Sequence, residues 1–381
     1  MTGVKEAFET NFSNGLEVGA ALSIFRRGNQ VVSLCGGFCD AARSVPWRDA
    51  TLVLIWSATK GVASACVLHA MQEAGANLQT RVADFWPEFA RAGKASLTLA
   101  HVLSHRAGLC ALEESSANML DRGSVVRAIE NQAPILPVEA GPAYGPRVFG
   151  FLLDEILRRL ADGETLSDYW RRVFADPLGI DLWIGLPENE NARVATILAP
   201  SAEKFATGEE LFTQAFADAD SLTRRAFMSP TGLFGISAMN SPEVRAISLP
   251  AMGGISSAHA LAKFYAMLAS GGTCDGETFF KKETLGWMST RLAQGFDPTL
   301  QREMAFSAGF MMDPIDEAGH KMRSLLGPSL SAFGHAGRGG SLGFADPEQG
   351  IGFGYVMNQM GAGVLPQERC DALVRSFYDA A

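Results

Sequence analysis

No Cys-x-x-Cys pair occurs in this 381-residue chain, whose six cysteines are scattered at Cys35, Cys39, Cys66, Cys110, Cys274 and Cys370. That pattern is neither a disulfide frame nor a thiolate metal site, and it reads as reduced core cysteines in a cytoplasmic protein. No run of about 20 apolar residues is present, so no membrane-spanning helix and no membrane partner are expected. The opening Met1-Thr2-Gly3-Val4-Lys5-Glu6 carries no apolar signal segment, which again points to the cytoplasm. A basic stripe is also missing: 32 Lys and Arg against 41 Asp and Glu leave a formal charge of −9, so nucleic acid is not an expected partner. There is no internal repeat and no low-complexity segment. Only 19% of residues are charged and 47% are hydrophobic, ample for a large core spread over two lobes.

Against these absences stands Ser57-Ala58-Thr59-Lys60, within Ile55-Trp56-Ser57-Ala58-Thr59-Lys60-Gly61. An apolar run, Leu52 to Trp56, leads into it. Small and apolar residues at helical spacing, Gly61 to Glu73, follow, with Cys66 among them as a small buried thiol. Ser57 is therefore expected where an extended segment turns into a buried helix ending near Gly75. Residues three apart on a helix share a face, so the Lys60 amine can reach the Ser57 hydroxyl. A serine needs a neighbouring base to become a nucleophile, and a lysine can be that base once burial lowers its pKa. The alternative for Ser57 is a plain helix N-cap.

Two competing motifs are weaker. A second Ser-x-x-Lys, Ser201-Ala202-Glu203-Lys204, follows Pro200 in a polar, acidic stretch and reads as an N-capped helix start. Gly339-Gly340-Ser341-Leu342-Gly343 fits the Gly-x-Ser-x-Gly elbow, which requires a strand before it and a helix after it. Here Gly334 to Arg338 reads as turn-like and Gly350 to Met357 as a strand, so Ser341 is expected in a loop. His101 and His105 are four apart, but no acid accompanies them in the His-Glu-x-x-His manner. They are read as hydrogen-bonded structural histidines, and neither a metal nor a cofactor is expected.

Residues 18–40 read as a hairpin turning at Arg26-Arg27-Gly28-Asn29. Leu99 to Gly108 reads as a short helix. Val148 to Leu160 reads as an amphipathic helix entered from the rigid turn Gly141-Pro142-Ala143-Tyr144-Gly145-Pro146. Residues 187–245 are irregular and could cover a cleft or merely decorate it. Ala258 to Ala269 reads as a helix, 305–312 and 350–357 as strands, and 366–378 as a closing helix. Strands, helices, strands and a helix in that order give an α+β protein: residues 1–80 and 245–381 form one discontinuous α/β lobe and 81–244 a mainly helical lobe, with the catalytic cleft between them.

Ser57-x-x-Lys60, Tyr144 on a turn before an amphipathic helix, and His335-Ala336-Gly337 before the last strands together resemble the serine β-lactamase-like hydrolases. Within them the chain is most similar to the class C-related esterases called family VIII carboxylesterases. Leu103 to Leu109, Phe149 to Leu153 and Gly340 to Pro347 add to the likeness, which covers roughly residues 15–378. The resemblance implies the β-lactamase/DD-peptidase-like fold, an antiparallel sheet flanked by helices with an inserted mainly helical lobe. It implies Ser57 as the acylated nucleophile, Lys60 as its base or proton relay, and Tyr144 sharing the general base and acid work. It places the backbone N–H groups of Ser57 and Arg338 in the oxyanion hole, and His335, Ala336 and Gly337 on the substrate cleft. Where the lactamases carry Tyr-x-Asn this chain has Pro146, and where they carry Lys-Thr-Gly it has His335. With the amide gone and a weaker anchor for a carboxylate, the expectation is a cytoplasmic esterase of small, uncharged, short-chain esters. The same acyl-enzyme could serve an acyltransferase or support weak β-lactamase or peptidase activity. A non-catalytic scaffold fits the intact Ser57, Lys60 and Tyr144 set least. Homo-oligomerisation is left open.

Overall fold

The computed structural model describes residues 2–200, 209–365 and 368–380, so the second Ser-x-x-Lys at Ser201 and Lys204 lies outside the described residues. Its centre is an eight-stranded antiparallel sheet. In spatial order the strands are Asn29–Gly37, Gly19–Arg26, Ile351–Met357, Leu342–Asp346, Phe333–Ala336, Met311–Met312, Arg302–Phe306 and Ala293–Asp297. Both ends of the chain thus supply one sheet. The expected hairpin is formed by Gly19–Arg26 and Asn29–Gly37. Arg27 and Gly28 between them have φ of 49° and 80°, the left-handed pair that suits a two-residue turn to the strand twist.

The helix Ala258–Ala269 lies across one face of the sheet, on the strands Ile351–Met357, Leu342–Asp346 and Gly19–Arg26. It can lie there because the strand beneath is glycine-rich. A Cβ on Gly354 would meet the Ala258 carbonyl oxygen at 2.5 Å, and one on Gly352 the Ala266 nitrogen at 2.2 Å. The opposite face carries a separate core of Phe344, Phe353, Tyr355 and Leu373, closed by the helices Thr2–Ser13 and Glu368–Asp379. The N-terminal helix has no counterpart in the sequence reading.

Two segments differ from expectation. Gly334-His335-Ala336 reads as turn-like but belongs to the strand Phe333–Ala336, in which Gly334 faces Phe344 and His335 faces Gly343. Glycine on both strands lowers local strand propensity, and tertiary pairing overrides it. The segment 305–312 is two short strands with the turn Ser307–Phe310 between them, because Gly309 (φ 83°) packs against Ser64 of the helix that follows Ser57.

That helix, Thr59–Ala74, is buried from Thr59 to Leu68 and packs against Val148–Leu160. A three-stranded sheet of Val53–Leu54, Gly254–Ser256 and Leu182–Ile184 delivers the chain to it. Residues 187–245 are not irregular throughout: they hold the helices Glu210–Ala217, Leu222–Met228, Ile236–Met239 and Pro242–Arg245. Among the described residues no helix is long and apolar enough to cross a membrane.

Candidate active site

Ser57 sits in the middle of a single tight turn, Trp56–Ala58, that joins the strand Val53–Leu54 to the helix Thr59–Ala74. Trp56 before it has φ of 48°, a left-handed conformation rare for a bulky residue and held here by its surroundings. Thr59 ties the turn down: its hydroxyl donates to the Trp56 carbonyl at 2.5 Å and accepts from Gly254 N–H at 2.8 Å. Ser341 is the second tie. Its buried hydroxyl donates to the Ile55 carbonyl at 2.8 Å, while its own carbonyl accepts from Gly337 N–H at 2.7 Å. Ser341 thus lies between two strands as expected, with its hydroxyl spent on the backbone before Ser57 rather than turned toward a substrate. Gly337 is wedged in the same place: a Cβ there would meet the Ile55 carbonyl oxygen at 2.2 Å and Ser341 Oγ at 2.0 Å.

Lys60 is fully buried, and its Nζ lies 3.2 Å from Ser57 Oγ, 2.9 Å from the Pro146 carbonyl oxygen and 2.8 Å from that of Ala251. No carboxylate joins these partners, and burial drives its pKa well below the ordinary lysine value of 10.5. A neutral amine has two N–H bonds and one lone pair. With the two carbonyls taking both protons, the lone pair is left for the Ser57 hydroxyl. Pro146 therefore acts here through its backbone.

Tyr144 is buried over Lys60, with Nζ 4.9 Å from its ring centre. Burial raises its pKa far above 10, and the Ser57 hydroxyl, near enough to act as a weak, poorly aligned hydrogen-bonding neighbour, pulls it partly back. Its hydroxyl nevertheless finds no partner of hydrogen-bonding geometry. The Tyr144 backbone is held by a residue with no signature in the sequence. Asp297, fully buried, accepts from Tyr144 N–H at 2.8 Å through Oδ2, and from Thr299 and Leu300 N–H at 2.8 and 3.0 Å through Oδ1. Burial wins over these bonds and pushes the Asp297 carboxyl up to about 7.

Asp297→Asn is expected to leave the Thr299 and Leu300 bonds in place and to set an amide N–H against the Tyr144 N–H. The cost is about 1–3 kcal/mol of stability with a fall in kcat and little change in KM. Because the folded pKa of Asp297 is raised, the stability it contributes is present below its ordinary value of 3.8 and is lost as pH rises through about 7. The gap in unfolding free energy between wild type and Asp297→Asn should therefore narrow from pH 4 to pH 7. Thermal unfolding at several pH values measures it, and a gap that widens would contradict this role.

His335 is buried and neutral. Burial is the main cause that takes its pKa down to about 3. Nδ1 lies 2.8 Å from the Ala336 carbonyl oxygen, so Nδ1 carries the proton and Nε2 offers a bare lone pair with no partner among the described residues. Its ring stands 6.0 Å from that of Tyr144, behind the cavity wall, while Ala336 lines the cavity. His105 packs between Tyr144, Phe149 and Phe306, accepts from Gly145 N–H at 3.3 Å, and is also held neutral by burial. His101 caps its own helix by accepting from Thr98 N–H at 3.1 Å. No group of three or more His, Cys, Asp or Glu that could hold a metal exists among the described residues.

A cavity of about 250 Å³ opens over Ser57 and Tyr144. Its walls are mostly apolar, including Phe227, Leu233, Ile236, Met252 and Leu300, so the segment 187–245 does supply part of the cover. Two charged residues, Arg147 and Arg338, complete them. The Arg338 N–H has no acceptor among the described residues, and the Ser57 N–H lies in a first helical turn, where such groups lack partners. Met252, Leu300 and Arg147 escape sequence reasoning because they converge only in the folded chain.

The beta-lactamase family description matches residues 8–373. Esterase/beta-lactamase LipL of Mycobacterium tuberculosis (strain ATCC 25618 / H37Rv) is 30% identical over 364 residues, covering 94% of this chain and 81% of that protein. A penicillin-binding protein homolog from Caulobacter crescentus superposes with a TM-score of 0.87 at 34% identity, covering 100% of this chain and 97% of the other. A family VIII carboxylesterase gives a TM-score of 0.87 at 33% identity with the same coverage.

Proposed function

This chain belongs to the beta-lactamase family, and from that premise we propose that it is a serine hydrolase of short-chain carboxylic esters, acting through an acyl-enzyme on Ser57. The arrangement around Lys60 Nζ carries the reading: two carbonyls absorb the protons of a neutral amine and leave its lone pair 3.2 Å from the Ser57 oxygen. A buried base beside a serine at a helix start is the chemistry of an activated nucleophile. Lys60, in its neutral form, takes the Ser57 proton as Ser57 attacks the ester carbonyl. The N–H groups of Ser57 and Arg338 stabilise the oxyanion. Tyr144, protonated at any ordinary pH, delivers its proton to the leaving alcohol and is reprotonated from Lys60, which returns the amine to its neutral form, and water repeats the sequence on the acyl-enzyme.

Esters are favoured over lactams by Pro146 and His335. The first leaves this wall without a side-chain amide, and the second, a neutral ring set behind the wall, offers no cation to a lactam carboxylate. The family VIII carboxylesterase relative supports the same choice.

Purified protein mixed with p-nitrophenyl butyrate and quenched early is expected to carry the butyryl mass on Ser57, with release of p-nitrophenol lost in Ser57→Ala. Label on Ser341 or undiminished turnover in Ser57→Ala would sink the assignment. Nitrocefin is the control, since the LipL relative is named for both activities. Faster turnover of nitrocefin than of short esters would reverse the preference.

A further inference from the structure

Two arginines line the cavity over Ser57, and no carboxylate among the described residues neutralises them. Arg147 is 7% exposed. Its Nη1 donates to the Pro230 and Gly232 carbonyls at 2.8 and 2.9 Å, its Nη2 to the Leu233 carbonyl at 3.2 Å, and the Phe234 ring covers one face at 4.9 Å. Carbonyls orient a guanidinium but do not cancel its charge. Arg338 reaches the same cavity from the end of the strand Phe333–Ala336. It is open to solvent yet set deep enough in a concave wall for desolvation to act on it. The two are close enough that the charge of Arg338 weighs on Arg147, whose pKa falls to about 10, mainly through burial. No carboxylate among the described residues acts on either, and no Asp or Glu there lines the cavity.

Like charges held together in a partly dry site are costly until an anion arrives between them. One of the pair is fixed and the other is accessible, as a two-point clamp on a planar anion would need. The remaining walls are hydrocarbon and the volume is small, which suits a short carbon chain. Resting on the ester-hydrolase reading, we propose that the preferred substrates are short-chain esters bearing a free carboxylate, such as monoesters of short dicarboxylic acids, with that carboxylate held by Arg147 and Arg338. The neutral His335 alone predicts uncharged substrates. The two arginines return a positive charge to the cavity from residues that the sequence scatters.

The test compares mono-p-nitrophenyl glutarate with its methyl ester, which has the same acyl core and no charge. The free acid is expected to show kcat/KM about tenfold higher or more at low ionic strength, with the ratio shrinking as salt screens the pair. Arg338→Gln should bring the ratio toward one, chiefly through the KM of the charged ester, and Arg338→Lys should keep part of it. Turnover of the methyl ester and of p-nitrophenyl butyrate with no gain for the free acid overturns the carboxylate clamp and leaves the hydrolase standing. No turnover of any of the three esters overturns both.

Discussion

Lys60→Met is expected to lower kcat for p-nitrophenyl butyrate by about 10² to 10⁴-fold, the span of a lost general base. Methionine fills the same volume without a lone pair, so the Ser57 hydroxyl keeps its place and loses its proton acceptor. Lys60→Arg should fail as badly, because a guanidinium stays protonated. In the wild type the acid limb of kcat/KM should lie well below the lysine value of 10.5, since activity requires the neutral amine and burial supplies it. The same shift links to stability with a definite sign. The folded pKa is depressed, so the unfolded chain binds more protons in the window between the folded value and 10.5, and stability falls as pH drops through that window. Lys60→Met should show a shallower dependence of unfolding free energy on alkaline pH. Wild-type turnover in Lys60→Met, or an acid limb near 10.5, would remove the amine from the mechanism.

Tyr144→Phe is expected to cost about 10² to 10⁴-fold in kcat while making the protein more stable. The two effects share one cause. The Tyr144 hydroxyl is buried without a hydrogen-bond partner in the resting chain, so the fold bears its desolvation and chemistry alone repays it. Removing an unsatisfied buried hydroxyl relieves about 1–3 kcal/mol. The ring contacts with His105, Phe306 and His335 need no hydroxyl and should persist. Differential scanning calorimetry beside steady-state kinetics reads both quantities. A destabilised variant would mean that the hydroxyl is paired in solution, and a fully active one would exclude tyrosine from proton transfer.

The likeness of this chain to its family was legible because its signals are local or ordered. Ser57 and Lys60 are three residues apart, and a helix alone brings such residues together. The apolar stripe from Phe149 to Leu160 specifies a helix by period, and the turn before it fixes where Tyr144 must sit. The alternation around Arg27-Gly28 specifies a hairpin. What failed was reading Gly334 as part of a turn: it lies inside a strand, where the Gly343 carbonyl and Phe344 approach too closely for a Cβ, whereas Gly352 and Gly354 read as strand residues and lie in one. From the chain alone a glycine in a turn and a glycine inside a strand look the same.

The sequence by itself therefore carried the α+β class and pointed to Ser57 and Lys60 through their spacing, while Tyr144 was pointed to by the family resemblance. Tertiary structure decided what those groups are worth. Lys60 has its pKa driven well down by burial, in a dry site closed by the chain at Pro146 and at Ala251, the latter 191 residues away. Tyr144 is held by Asp297, 153 residues away. Ser341 has its hydroxyl engaged by a carbonyl 286 residues away, which makes an apparent nucleophile into a brace. Arg147 and Arg338 become one charged wall only when the sheet and the segment 230–236 close over Ser57. Reactivity and charge recognition depend on burial and on distances through space, and neither is encoded in any window of the chain short enough to read.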